Sequence, residues 1–249
     1  MMDDALKKRF FEVDALRGIA IFLMVIFHFF FDLDFLGILE FDVHSGLLLF
    51  VGRSAAILFI FLVGVSLTLS YSRTVSLHGT QAQFSHFLKR GAGIFGWGLV
   101  ITFVTASVLE RGTIYFGILH LIGVSIIFAY PFLKYKRLSL IAGMLLLFAG
   151  VIMESAYADF PWLLWLGIKP YGFYTLDYFP LIPWFGVVLL GIFTGNSLYP
   201  DYQRSFRMCD CKDNAVVRLL GYLGKKSLLI YLVHQPVIAG MLLILKALY

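Results

Sequence analysis

The sequence predicts an all-α, polytopic transmembrane helix bundle of about seven spans, and three features predict it. Of 249 residues, 60% are hydrophobic and only 14% charged, where a soluble domain carries roughly a quarter charged. The mean hydropathy is +0.88. The apolar residues gather in runs near the ~20 residues that cross a bilayer.

The runs fall at about 15–36, 47–71, 87–108, 114–133, 138–154, 178–198 and 227–247. They leave short loops and no room for a separate soluble module, so residues 1–249 read as one domain. The first run is long, rich in Phe and without a small-residue cleavage site, unlike a cleaved leader.

Lys and Arg orient the spans. Lys7, Lys8 and Arg9, then Arg73, Lys89 and Arg90, then Lys134, Lys136 and Arg137, and finally Arg204, Arg207, Lys212, Arg218, Lys225 and Lys226 fall on one side. The other side holds Arg111, Lys169 and Lys246. The positive-inside bias predicts a cytoplasmic N-terminus and an outer C-terminus. The same clustering accounts for the net charge of +5 without a nucleic-acid partner. Membrane lipids are the partner it implies.

The outer loops are acidic and aromatic. The first carries Asp34, Glu40, Asp42 and His44. The longest, residues 158–180, is expected at the interface or folded back as a lid. The two cysteines, Cys209 and Cys211, allow no disulfide framework and match no four-ligand zinc spacing. They read as free thiols, and no metal is expected. No internal repeat is visible, which weakens an inverted-repeat transporter reading. The glycines at 91, 93, 96 and 98 suggest a close-packing helix surface rather than a phosphate loop.

Span one carries the most informative pattern. Asp14, Arg17, Ile21, Met24, His28 and Asp32 recur at three- and four-residue steps, forming one stripe on a helix. Arg17 and His28 lie about 16 Å apart along the axis. Ionisable groups at membrane depth are costly and are expected to face other helices or a watery cavity. Arg17 could bind an anion, or snorkel to phosphates and pair with Asp14. His28 could be a catalytic base, or a neutral histidine bonded across helices. Asp32, one turn on, could orient the imidazole, or simply end the helix.

Three further groups sit at outer-half depth: His44 in the first loop, Arg53 in span two and His120 in span four. His44 reads equally as a surface histidine. In span seven, Ser227, Tyr231, His234 and Gln235 share a face, followed by Pro236, which frees a carbonyl one turn earlier. Taken by depth, His234 is expected between the inner end and the middle, below His28. The polar groups would then form a path across the bilayer rather than one cluster. Such a path suits an anionic carrier entering from the cytoplasm and an acceptor arriving from outside.

The stretches RFFEVDALRGIAIFLMVIFHFFFD, FGILHLIGV, YFPLIPWFGVVLLGI and LGKKSLLIYLVHQPV occur in that order over nearly the whole chain. They resemble the bacterial proteins of the heparan-α-glucosaminide N-acetyltransferase catalytic-domain-like family. An Arg, ten residues and a His on the first span also resembles the broader membrane acyltransferases that decorate cell-surface sugars. The resemblance implies acyl transfer across a bilayer, bacterial or archaeal plasma membrane being the fit. Acetyl-CoA or another acyl-CoA would be the donor, and a glycan or amino-sugar amine or hydroxyl outside the acceptor. A homo-oligomer is compatible with it.

By the acyltransferase pattern, His28 maps to the catalytic histidine and Arg17 to the arginine serving the donor. In the lysosomal members the catalytic histidine precedes the second span, which matches His44. The stripe with Arg17 and Asp32 favours His28, and His44 stays a second candidate. The histidine could act as a general base or be acylated itself. Arg53 or His120 could stabilise the oxyanion. The alternative function is a transporter or channel for a small anion or lipid-linked sugar.

Overall fold

A computed structural model describes residues 9–78, 83–208, 211 and 213–248. Lys7, Lys8, Cys209 and Lys212, used above, lie outside the described residues. The helices are α1 (Phe11–Phe35), α2 (Gly46–His78), α3 (Phe84–Val108), α4 (Ile118–Phe128), α5 (Lys136–Met153), α6 (Leu181–Leu198), α7 (Ala215–Lys225) and α8 (Ser227–Leu248). All but α4 and α7 are long and apolar enough to cross a membrane, giving 6 candidate spans. The described residues contain no named strand. This is a helical membrane bundle.

The stretch expected to cross at 114–133 is divided. Its helix, α4, has 11 residues, about 17 Å of rise against a ~30 Å hydrocarbon layer. Residues before it are extended up to Gly117 (φ −87°, ψ −172°). After it, Pro131 sits in a 3-10 turn, Tyr130–Phe132, where its missing N–H cannot continue the helix. Hydropathy alone does not see these breaks.

The described residues form two compact units, one within 8–62 and 208–249, the other within 63–207. In the central unit, paired glycines bring helices into backbone contact. A Cβ on Gly91 would meet the Gly123 carbonyl at 2.6 Å, and one on Gly123 the Gly91 carbonyl at 2.8 Å, which locks α3 to α4. Gly143 and Gly186 do the same for α5 and α6, at 3.1 and 2.8 Å. Gly98 lies seven residues from Gly91 on the same face and packs on His120, whereas Gly93 and Gly96 face open space. Only half of that glycine cluster is therefore a packing surface.

Two loops of the central unit are stitched together above α4. Leu176 N–H donates to Gly112 O, Phe179 N–H to Phe116 O, and the Thr175 hydroxyl to Thr113 O. Asp177 completes the seam by accepting the Ile118 N–H at 3.1 Å, capping the first turn of α4 from 59 residues away. Burial pushes the Asp177 carboxyl from 3.8 up to about 6, against that hydrogen bond, which favours the charged form.

In the terminal unit, α7 runs antiparallel along the N-terminal half of α1. A Cβ on Gly18 would collide with the Leu220 carbonyl, and one on Gly224 with the Asp14 carbonyl. Only glycine at both crossings lets the backbones approach this closely. Asn214 caps α7, its side chain accepting from Val216 and Val217 N–H. The chain turns at Lys226, and α8 then returns parallel to α1, meeting its C-terminal half. The Lys246 ammonium closes that pair on the Leu36 carbonyl at 2.6 Å.

Candidate active site

The α1–α8 interface gathers the polar stripes of both helices. The rings of His28 and His234 meet edge to face, centroids 4.8 Å apart at 75°. His28 Nδ1 lies 2.9 Å from the Met24 carbonyl and His234 Nδ1 lies 2.7 Å from the Tyr231 carbonyl. A carbonyl oxygen only accepts, so Nδ1 carries the proton in each ring. In the neutral imidazoles Nε2 is then the lone-pair atom. His234 Nε2 is buried without a hydrogen-bond partner among the described residues.

One turn outward, Gln235 donates its amide N–H to Asp32 Oδ1 at 3.0 Å. Asp32 is 3% exposed. Its Oδ2 and the Gln235 Oε1 are also buried and unpartnered among the described residues. Asp32 thus holds Gln235, while the His28 ring is oriented by its own helix backbone. Three buried acceptors of this interface thus have no donor among the described residues.

The levelling of His28 with His234 corrects the depth argument. Counting from each helix start puts His234 a half-membrane below His28. The ring contact, centroids 4.8 Å apart, places the two histidines side by side instead. His28, Asp32, His234 and Gln235 therefore form one cluster, with Arg17 apart from it on Asp14.

The remaining candidates divide as follows. Arg17 pairs with Asp14 at 2.9 Å, and Arg9 approaches the other Asp14 oxygen at 3.5 Å. This is the local ion pair that the spacing allows, placed near the N-terminus of α1. Ser227 is buried at the foot of α8, and the Tyr231 ring lies 5.6 Å from that of His234. Arg53 is exposed on α2 and has no ion pair among the described residues. His44 is exposed in the loop after α1, its backbone N–H donating to Asp42 at 3.1 Å. The Ser45 hydroxyl, together with that loop backbone, holds the Asp42 carboxyl below its usual range.

His120 belongs to the central unit and is fully engaged there. Its Nδ1 accepts the Gly117 N–H at 3.2 Å, so Nε2 carries the proton and faces Thr102 Oγ1 at 3.4 Å. That hydroxyl in turn donates to Ile114 O at 2.6 Å. Phe95 and Phe116 enclose the ring. His120 secures the start of α4, and its hydrogen-bonding capacity is spent on local structure. No group of three or more His, Cys, Asp or Glu able to hold a metal occurs among the described residues.

A protein-family model described as heparan-alpha-glucosaminide N-acetyltransferase, catalytic, matches residues 9–236. The chain belongs to that family. It is therefore a membrane transferase of the acyltransferase type. The match takes in His28, Asp32, His234 and Gln235, and it covers stretches of both compact units. No curated protein and no solved structure matches the chain.

Proposed function

We propose that the protein moves an acetyl group from cytoplasmic acetyl-CoA to the amine or hydroxyl of a sugar on the outer side of a bacterial or archaeal plasma membrane. His28 is the general base. The observation that carries this reading is the α1–α8 interface, where the His28 ring, its Nδ1–H tied to Met24, meets the ring of His234, whose buried Nε2 has no partner among the described residues. Residues 1–249 act as one domain, since the family match runs through both units.

The basic atom is His28 Nε2. It takes the acceptor's proton as the acceptor nitrogen or oxygen bonds to the thioester carbon. Collapse of the adduct expels the CoA thiolate, which recovers that proton as a thiol. Arg17 at the inner end of α1 and Arg53 on α2 are the cations offered to the anionic donor and to the oxyanion. Ser227 and Tyr231 line the foot of the α8 stripe. His44 is the second candidate for the base, from the outer loop.

The test uses the full chain in sealed, oriented proteoliposomes, with acetyl-CoA on the cytoplasmic face and amino sugars outside. CoA release that depends on acceptor and is lost in His28→Ala but kept in His44→Ala is the expected result. Loss in His44→Ala alone moves the base to the loop. No release with any acceptor, alongside acceptor or anion flux without chemistry, would establish the transporter instead.

A further inference from the structure

The reading above needs one base, yet the interface holds two imidazoles in the same state. Each has Nδ1–H tied to a carbonyl of its own helix, three or four residues back, and Nε2 left as the lone-pair atom. An amine acceptor explains the duplication. A sugar amine near neutral pH is largely an ammonium ion, since amines flanked by electronegative groups titrate near ~8. N-acylating it removes two protons from one nitrogen, whereas O-acylating a hydroxyl removes one.

The geometry points to His234 as a second catalytic base that deprotonates an ammonium acceptor before His28 acts, with Asp32 and Gln235 holding the ammonium. This rests on the acyltransferase reading of the same site. The three orphaned acceptors, His234 Nε2, Asp32 Oδ2 and Gln235 Oε1, match an ammonium's three N–H groups in number and polarity. Asp32 supplies the opposite charge on the α1 side.

The steps balance. His234 Nε2 takes one proton from R–NH3+, freeing the nitrogen lone pair. That pair bonds to the thioester carbon, and the carbonyl electrons move to oxygen. His28 Nε2 takes the second proton, the C–S bond breaks as C=O reforms, and the thiolate leaves with the proton from His28. His234 returns its proton to water. The sum is R–NH3+ plus acetyl thioester giving the amide, CoA thiol and one proton.

The titratable groups facing His234 are His28 and, through Gln235, Asp32 on α1, with Tyr231 on its own helix. From α7 the charged residues nearest in sequence, Lys225 and the following Lys226, are exposed at the foot of α8. None of these reproduces a loss that tracks the acceptor's own ionisation, which sets the readout.

The experiment measures kcat/KM for glucosamine across the amine's pKa, by product mass spectrometry, with full-length protein in nanodiscs and saturating acetyl-CoA. In the wild type, kcat/KM holds within about twofold over the pH unit below that pKa. In His234→Gln it falls about fivefold over the same unit, because only free amine reacts and its fraction drops from about a half to about a tenth, and returns to near wild type one unit above. His28→Gln is inactive at every pH. A uniform loss in His234→Gln at all pH values, or none, overturns the inference while leaving the acyltransferase intact. Where His234→Gln does not fold, the wild-type profile decides: a fall of about fivefold over the unit below the amine's pKa refutes a second base. A wild type that acetylates nothing refutes the underlying reading, and this inference with it.

Discussion

Asp177 offers a stability measurement whose sign follows from its surroundings. Its carboxyl caps α4 through the Ile118 N–H, and burial carries it from 3.8 to about 6. A carboxyl raised on folding binds its proton more tightly in the folded state. Between pH 3.8 and about 6 the folded protein holds more protons than the unfolded chain, so stability falls as pH rises through this window. Below the window both states are protonated and there is no loss. Above it the loss is complete, at ~1.4 kcal/mol per tenfold change and ~3 kcal/mol at most. Asp177→Asn keeps an oxygen for the Ile118 N–H and removes the charge. Thermal unfolding in detergent from pH 4 to 7.5 should show the two proteins close at pH 4. The variant should then gain on the wild type up to about pH 6.5, by ~6–12 °C for a chain of this size. A Tm difference that stays constant across the range would refute the burial argument.

Four further predictions rest on packing and hydrogen bonding. Gly18→Ala drives a Cβ into the Leu220 carbonyl and should cost ~1–3 kcal/mol in unfolding. Gly221→Ala, on the same helix pair with nothing within 4 Å, should stabilise by up to ~1 kcal/mol. Chemical unfolding of both variants checks the contrast. His120→Ala strips the Gly117 N–H of its acceptor and should cost ~1–3 kcal/mol while leaving turnover per folded molecule within about twofold. Gln235→Leu leaves Asp32 without its donor and should lower both Tm and acceptor turnover, whereas adding Asp32→Leu should restore Tm to at least wild type and leave turnover absent.

Legibility from the sequence followed range of interaction. The long helices were readable because burial of ~20 apolar residues in lipid is a local property of the run. The stripe of Arg17, His28 and Asp32 was readable because helical period is local too. The division of 114–133 was not, since it depends on Gly117 being extended where the strand-like loop pairs with residues 171–180. Asp177 as the cap of α4 was invisible for the same reason. The pairing of His28 with His234 was missed because helix offset is decided at the α1–α7 crossing. There, Gly18 and Gly224 fit particular carbonyls, and a sequence shows the glycines without showing which carbonyls they meet.

The terminal unit bears an energetic conflict that bears on why its polar cluster exists. Each buried acceptor left without a donor costs ~1–3 kcal/mol, and the penalty grows where the surroundings are apolar. His234, Gln235 and Asp32 each carry one such atom in a single interface. An apolar α1–α8 seam would hold the helices more tightly, as the glycine-locked α1–α7 seam beside it shows. The protein instead fixes the two imidazoles by their Nδ1–H groups and leaves His234 Nε2 buried without a donor among the described residues. Fixed rings cannot relax to pair with each other, so the unmet hydrogen-bonding capacity is preserved for something that arrives from outside the fold. A ligand that supplies N–H or O–H groups recovers that energy on binding, which places its affinity and its reactive position at the same atoms.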